Sequence, residues 1–189
     1  MEKNIVYHGS SKPGLKRLEP FECKHGKPYV YATKDYITVL FFAAKGQGMF
    51  DGFLKEDENG IPTFYETYPT AFHSRYYGKS SYCYILKADT FTNATEDPCE
   101  VVSEVPVDVI GVRKIDDIGK EWEKLIKEKK FRFAPYNTTD RNSIEECEKF
   151  ILNQFITRGY FEGKDFRQRK WAEEYFKDLL DKYRRNKNK

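Results

Sequence analysis

The pattern of apolar residues changes near Asp117, and this change constrains the fold more than any other feature of the sequence. Before it, the chain carries short segments rich in β-branched and aromatic residues, separated by glycine, proline and polar residues, which is typical of strands. After it, apolar residues recur at the spacing of amphipathic helices. We therefore predict an α+β protein, with a β-rich domain over residues 1–116 and a helical C-terminal extension over residues 117–189.

The β-rich part contains four segments with strand character. They are NIVYH, KPYVYAT, SSYCYILKAD and EVVSEVPVDVIGVRKI, the last interrupted at Pro106. A hairpin is predicted around Asn59-Gly60. One helix is predicted in this part, over KDYITVLFFAAKG, with Thr33 as its N-cap and Gly46 as its end.

Three helices are predicted after Asp117. Their sequences are DDIGKEWEKLIKEKK, SIEECEKFILNQFITRG and DFRQRKWAEEYFKDLLDKYRRN. In the second, Ser143 and Glu146 have the spacing of a capping box, and Gly159 stands where the helix should end.

Composition excludes several classes of protein. The chain has 189 residues, of which 39% are hydrophobic and 16% aromatic, enough to form a core without disulfides or a metal. Its four cysteines are scattered without the spacing of zinc ligands, so buried, unreactive thiols are the default expectation. No apolar run has the length of a signal peptide or a membrane span. We expect a cytoplasmic protein with reduced thiols, no membrane association and no metal.

Charge is distributed unevenly along the chain. The net charge is +3, but residues 1–116 carry −2 and residues 117–189 carry +5, ending in YRRNKNK. A basic C-terminal part of this kind can contact nucleic acid. The other interpretation is a solvated tail without a partner.

Three short segments carry residues of the types that proteins use in binding and catalysis. The first strand ends in His8-Gly9-Ser10, the second ends in Tyr31-Ala32-Thr33, and Glu100 begins a later strand. Phe42 follows Tyr31 by eleven positions, in the predicted helix. Each feature alone has an ordinary structural explanation.

Together, in this order and spacing, these segments resemble the ADP-ribosyltransferase superfamily. The similarity is to the diphtheria-toxin and poly(ADP-ribose) polymerase type, with its His-Tyr-Glu arrangement, and it covers roughly residues 5 to 115. It implies a split β-sheet and an NAD-dependent transferase of the glycosyltransferase class, or the NAD glycohydrolase core of one. Such an enzyme cleaves the nicotinamide–ribose bond of NAD and transfers ADP-ribose to a protein or nucleic-acid acceptor, which the sequence does not name. The helical extension lies outside the resemblance.

The resemblance also implies which residues bind NAD. Tyr31 and Phe42 would stack on the nicotinamide ring, although the family usually has tyrosine at the second position. Gly9 would bring its backbone close to the carboxamide, and His8 would contact a ribose. The hydroxyl groups of Ser10 and Thr33 would orient nearby groups. The NAD-binding residues implied are His8, Gly9, Ser10, Tyr31, Thr33 and Phe42.

Glu100 is the catalytic residue that the resemblance implies, with Glu104 as its competitor. A carboxylate stabilises the positive charge that develops on the ribose when nicotinamide leaves, as in glycoside hydrolysis. Period 2 places both glutamates on the same face of the strand, so one would act and the other support it. Pro98 stands two residues before Glu100, where arginine-modifying toxins often have Glu or Gln, so an arginine acceptor is not supported.

Other functional interpretations remain open from the sequence. One is a catalytically inactive module of the same fold that binds a nucleotide or nucleic acid. A second is an RNA 2′-phosphotransferase, whose His-His-Arg pattern is matched here only by its first histidine. A third is a structural α+β protein that resembles the family by chance. Finally, the aromatic segment around Tyr65, Glu66 and Tyr68 either faces a substrate or packs in the core.

Overall fold

The computed structural model describes residues 4–22, 26–46, 50–57, 59–95, 98–136, 141–163 and 169–187, and for residues 141–143 it describes the backbone only. The chain is a mixed α+β protein, as predicted. Its strands are β1 (Ile5–Ser10), β2 (Arg17–Leu18), β3 (Phe21–Glu22), β4 (Pro28–Ala32), β5 (Gly52–Glu56), β6 (Pro62–Glu66), β7 (Ser81–Lys87), β8 (Val101–Ser103), β9 (Val107–Ile115) and β10 (Arg132–Ala134). Its helices are α1 (Tyr36–Ala43), α2 (Ala71–Tyr76), α3 (Ile118–Lys127), α4 (Arg141–Thr157), α5 (Arg169–Tyr175) and α6 (Lys177–Lys187), with a 3₁₀ turn at Tyr160–Glu162.

The chain is divided into two compact units. The first comprises Met1–Lys45 and Tyr76–Lys124, and the second comprises Gly46–Arg75 and Leu125–Lys189. The chain leaves the first unit for the last time at Lys124, a few residues after the predicted domain boundary at 116/117. Residues 46–75, which precede that boundary, belong to the second unit.

The first unit contains two antiparallel sheets. One has the strand order β1-β7-β9-β2 and the other β3-β4-β8. Tyr7 in β1 and Thr33, just after β4, join them: each residue donates its N–H to the other's carbonyl oxygen at 2.8 Å. A cluster of buried aliphatic residues lies beneath the strands: Val6, Leu18, Val30, Ala32, Leu86, Val101 and Val107.

Helix α1 begins later than predicted. Its N-cap is Asp35, whose carboxylate accepts a hydrogen bond from the Thr38 amide at 2.7 Å. The prediction that Thr33 caps the helix was wrong, because Thr33 is held in extended conformation by its bridge to Tyr7. The helix ends at Ala43, before the predicted stop at Gly46.

The second unit combines a small sheet with the C-terminal helices. Its sheet has the order β10-β6-β5, in which β5 and β6 form the predicted hairpin with Gly60 in its turn at φ 71°. Rings and aliphatic side chains fill its core: Phe50, Tyr68, Ala71, Ile151, Phe155, Tyr160, Ala172, Phe176 and Leu180. Helix α2 and strand β10 were not predicted.

Two of the helix predictions in this unit need correction. Helix α4 already begins at Arg141, so Ser143 lies within its first turn and is not the N-cap. Gly159 follows α4 with φ 73°, consistent with the predicted stop. The third predicted helix is divided into α5 and α6 at Phe176, and its predicted start at residues 165–168 lies outside the described residues. Of the helices in the described part of the chain, none has the length and apolar character needed to cross a membrane.

Candidate functional site

Six of the eight predicted site residues line one cleft in the first unit. The cleft has a volume of about 250 Å³, and we call it the aromatic cleft. Its walls are mostly apolar, with an imidazole and a carboxylate among them. The lining residues are Tyr7, His8, Gly9, Phe21, Tyr31, Ala32, Thr33, Val39, Phe42, Cys99 and Glu100.

The meeting of β1 and β4 brings the first two sequence segments together. A second contact joins the two strands besides the Tyr7–Thr33 bridge. The His8 ring nitrogen Nδ1 lies 2.7 Å from the Tyr31 carbonyl oxygen. Because a carbonyl oxygen only accepts, Nδ1 carries the proton and donates it. In the neutral imidazole, Nε2 then keeps the lone pair of an acceptor.

Burial keeps His8 neutral. It lowers the pKa of His8 below the ordinary value of 6.5, and the hydrogen bond to Tyr31 opposes this lowering only in part. His8 therefore suits a role as a hydrogen-bond acceptor at neutral pH.

Acidification is expected to destabilise the protein through His8. In the unfolded chain His8 takes up a proton near pH 6.5, whereas in the folded protein it stays neutral to lower pH. The unfolded state thus binds more protons in this interval, and the free energy of unfolding falls as the pH drops from 6.5 toward the folded pKa. Urea unfolding at a series of pH values should show a weaker pH dependence in His8→Gln.

The matched control for His8 is His73→Gln, which replaces a solvent-exposed histidine. It measures what the loss of one imidazole does at an exposed position, and the effect of His8→Gln is judged against it. If His8→Gln and the wild-type protein gave the same curve of stability against pH, the buried neutral state of His8 would be contradicted.

Gly9 is needed for packing, whatever else its backbone does. A Cβ atom at this position would lie 3.1 Å from the Val39 carbonyl oxygen and 3.4 Å from Ala43 Cα, both in α1. The absence of a side chain lets the helix lie directly against β1. That close approach also fixes the position of the last turn of α1, which carries Phe42.

Three aromatic rings of the cleft, besides Tyr7 in β1, come from α1, β4 and β3. Phe42 is half-exposed on a helix whose neighbouring residues from Thr38 to Ala43 are buried. Tyr31 lies in β4, and the Phe21 ring packs against it with centroids 5.4 Å apart. Phe21 was not predicted as a site residue. It reaches the cleft through pairing of β3 with β4, for which the sequence around it gives no signal.

Glu100 reaches the cleft through β8. Pairing of Ala32 with Val101 carries the preceding residue, Glu100, to the end of β4, where its side chain is half-buried. A second cleft of about 350 Å³, which we call the polar cleft, shares Thr33, Cys99 and Glu100 with the first. Its other lining residues are Lys34, Asp35, Asn93, Pro98 and Val101.

Ser10 and Glu104 are not among the residues that line the aromatic cleft. The Ser10 hydroxyl accepts a hydrogen bond from the Lys12 amide at 3.2 Å. Glu104 is exposed, with its carboxylate 4.0 Å from Lys27 Nζ. The expectation that Glu100 and Glu104 share a strand face was wrong: β8 ends at Ser103, whose hydroxyl donates to the Val105 carbonyl oxygen and turns the chain.

The other candidates from the sequence have structural roles. Glu66 is buried in the second unit and accepts hydrogen bonds from the amides of Phe72 at 2.9 Å and Tyr136 at 3.2 Å. Tyr68 is buried there too and donates to Asp51 at 2.6 Å. These contacts favour packing over substrate binding for this segment.

The cysteines divide into two kinds. Cys83 and Cys147 are buried, and burial raises the pKa of each thiol to about 11, which makes them unreactive. Cys99 departs from the expectation of burial, because it is exposed and lines both clefts. Cys23 lies outside the described residues. Within the described ranges, no group of three or more His, Cys, Asp or Glu side chains is arranged to hold a metal ion.

The aromatic cleft therefore offers flat apolar walls, a neutral imidazole and one carboxylate at its junction with a polar cleft. Such a combination suits a ligand with a flat ring, hydroxyl groups and a centre that becomes positively charged. Comparison with protein-family models, with curated proteins and with solved structures finds no match for this chain.

Proposed function

We propose that this protein is an NAD-dependent ADP-ribosyltransferase that cleaves the nicotinamide–ribose bond. The observation that carries the proposal is the convergence of His8, Tyr31, Phe42 and Glu100 on one cleft. These residues are far apart in the sequence, and a chance resemblance gives no reason for them to meet. The fold gives further support, since two antiparallel sheets joined at Tyr7 and Thr33 are compatible with a split β-sheet of the ADP-ribosyltransferase type.

The rings of the aromatic cleft suit nicotinamide. This ring is flat and cationic in NAD, so Tyr31 and Phe42 bind it through burial and through attraction between the cation and the ring faces. Gly9 leaves its backbone groups accessible beside these rings. His8, neutral and with Nε2 as acceptor, receives a hydrogen bond from a ribose hydroxyl.

Glu100 suits the reacting end of the same ligand. As nicotinamide departs, the ribose ring gains positive charge, and a fixed carboxylate stabilises that charge more than it stabilises the ground state. Because Glu100 also lines the polar cleft, an acceptor protein or nucleic acid entering there meets the ribose beside this carboxylate. No metal is required for this step.

The direct test is to incubate the purified protein with NAD and measure nicotinamide release, with NAD binding followed by calorimetry. The proposal requires both binding and release. Binding without release would favour the alternative, an inactive nucleotide-binding module of the same fold. Absence of NAD binding would contradict the proposal.

Replacing Phe42 with leucine is expected to weaken NAD binding about threefold to tenfold, because the variant keeps apolar volume but loses the ring face. Calorimetric titration measures the change. Phe53→Leu is the matched control, since Phe53 is a half-buried ring that does not line the aromatic cleft. Equal affinity of Phe42→Leu and wild-type protein would show that this ring takes no part in binding.

A further inference from the structure

A third cleft, in the second unit, is lined by positive charges and aromatic rings. Its volume is about 440 Å³, and we call it the basic cleft. It lies among the 3₁₀ turn at Tyr160–Glu162, the start of α5 and the end of α6. Its side chains are those of Tyr160, Phe161, Arg169, Tyr183, Arg184 and Lys187. Among the described residues that line it, none is acidic.

The rings of the basic cleft are held in fixed positions. The Phe161 and Tyr183 rings pack with centroids 4.5 Å apart, and both remain half-exposed. The Arg169 guanidinium covers the buried Tyr160 ring at 4.5 Å and donates to the Tyr160 carbonyl oxygen at 3.0 Å. Half-exposed rings in a fixed wall present a stacking surface to another flat group.

The charges of the basic cleft are only partly neutralised. Arg184 is paired with Glu173 at 2.8 Å and with Asp181 at 3.0 Å, so its charge is compensated. Lys187, exposed at the end of α6, adds a further positive charge to the walls. Arg185, adjacent in α6, is exposed to solvent and extends the positive surface along that helix.

We propose that the basic cleft binds single-stranded nucleic acid. A base stacks on the Phe161 and Tyr183 rings, and the adjoining phosphates are attracted by Lys187 and by Arg185 beside it in α6. Stacking rings set between cations are the combination that single strands require, because their bases are open to stacking while their backbone is anionic. Paired bases of a duplex do not offer their faces in this way. This site uses none of the residues of the aromatic cleft, so it stands independently of the proposed NAD chemistry.

The test is fluorescence anisotropy with a labelled single-stranded RNA, using the full chain at low and at physiological salt. Binding should weaken as salt rises, since phosphate contacts release counterions. Tyr183→Leu should weaken binding about five- to tenfold, because a stacking ring is lost. Lys187→Glu should also weaken it, because a positive charge in the cleft is replaced by a negative one. Tyr82→Leu and Lys87→Glu are matched controls: Tyr82 is half-buried beside another ring, and Lys87 is exposed. Both should bind as the wild-type protein does.

Three results would overturn the proposal. One is no binding by the wild-type protein at low salt. Another is binding that Lys187→Glu weakens while Tyr183→Leu leaves it unchanged, because charge alone would then account for it. The third is equal affinity for double-stranded RNA. Circular dichroism of each variant confirms that it is folded, and none of these results bears on nicotinamide release.

Discussion

Glu100→Gln is expected to lower the rate of nicotinamide release from NAD by about 10²–10³-fold, the effect of removing one preorganised charge-stabilising group from an active site. Glutamine keeps the size and shape of the side chain but carries no negative charge, so the developing positive charge on the ribose loses its partner. NAD affinity should change little, because the rings of Tyr31 and Phe42 and the imidazole of His8 remain. Release rates and calorimetric titrations of the same preparations measure the two effects separately.

Glu104→Gln is the matched control for this experiment. Glu104 is exposed and does not line the aromatic cleft, so its replacement should leave the rate close to that of the wild-type protein. The reverse result, loss of activity in Glu104→Gln and full activity in Glu100→Gln, would move the catalytic role to Glu104. Unchanged rates in both variants would remove the carboxylate from the mechanism.

The parts of the site that could be predicted from sequence are those signalled by short local patterns. His8-Gly9 and Tyr31 end recognisable strands, and Phe42 lies in a helix with a clear apolar pattern. Phe21 could not be predicted, because it enters the cleft through a two-residue strand whose partner, Tyr29, lies eight positions further along the chain. Only the folded sheet reveals that such a short pairing exists.

The limits of the fold prediction have the same physical origin. The predicted helix from residue 165 to 186 is divided at Phe176, although no proline or glycine stands there. Phe176 is buried in the core of the second unit, and its amide still donates to the Ala172 carbonyl oxygen at 2.9 Å. The bend therefore follows from tertiary packing of that ring, for which a local pattern carries no information. The placement of residues 46–75 in the second unit depends on long-range contacts in the same way.

One such long-range contact gives the second large effect: Asp51→Ala is expected to lower the free energy of unfolding by about 3–5 kcal/mol. Asp51 and Arg75 are both buried, with the carboxylate 3.6 Å from the guanidinium. Tyr68 donates to the same carboxylate at 2.6 Å. Removing Asp51 deprives a buried cation and a buried hydroxyl of this partner, and neither gains water in exchange. Urea unfolding monitored by circular dichroism measures the loss.

The surroundings leave little room for the chain to adjust to this change. A Cβ atom at Gly46 would clash with an Asp51 carboxylate oxygen and lie 3.0 Å from the Arg75 side chain, so the backbone itself packs against the ion pair. Burial, followed by the hydrogen bond to Asp51, raises the pKa of Tyr68 above its ordinary value, which keeps the hydroxyl protonated as a donor. The ion pair is therefore part of the packed interior of the second unit.

Asp108→Ala is the comparison variant: it also removes one carboxylate from an ion pair with an arginine, but at an exposed position. Asp108 also pairs with an arginine, Arg17, at 3.0 Å, but both side chains are at least half-exposed. Water replaces the lost partner there, so the expected loss is about 0–1 kcal/mol. Arg75→Met in the Asp51→Ala background should recover part of the stability, because no buried cation then remains. Equal losses in Asp51→Ala and Asp108→Ala, or no recovery in the double variant, would mean that the buried charge is not the source of the effect.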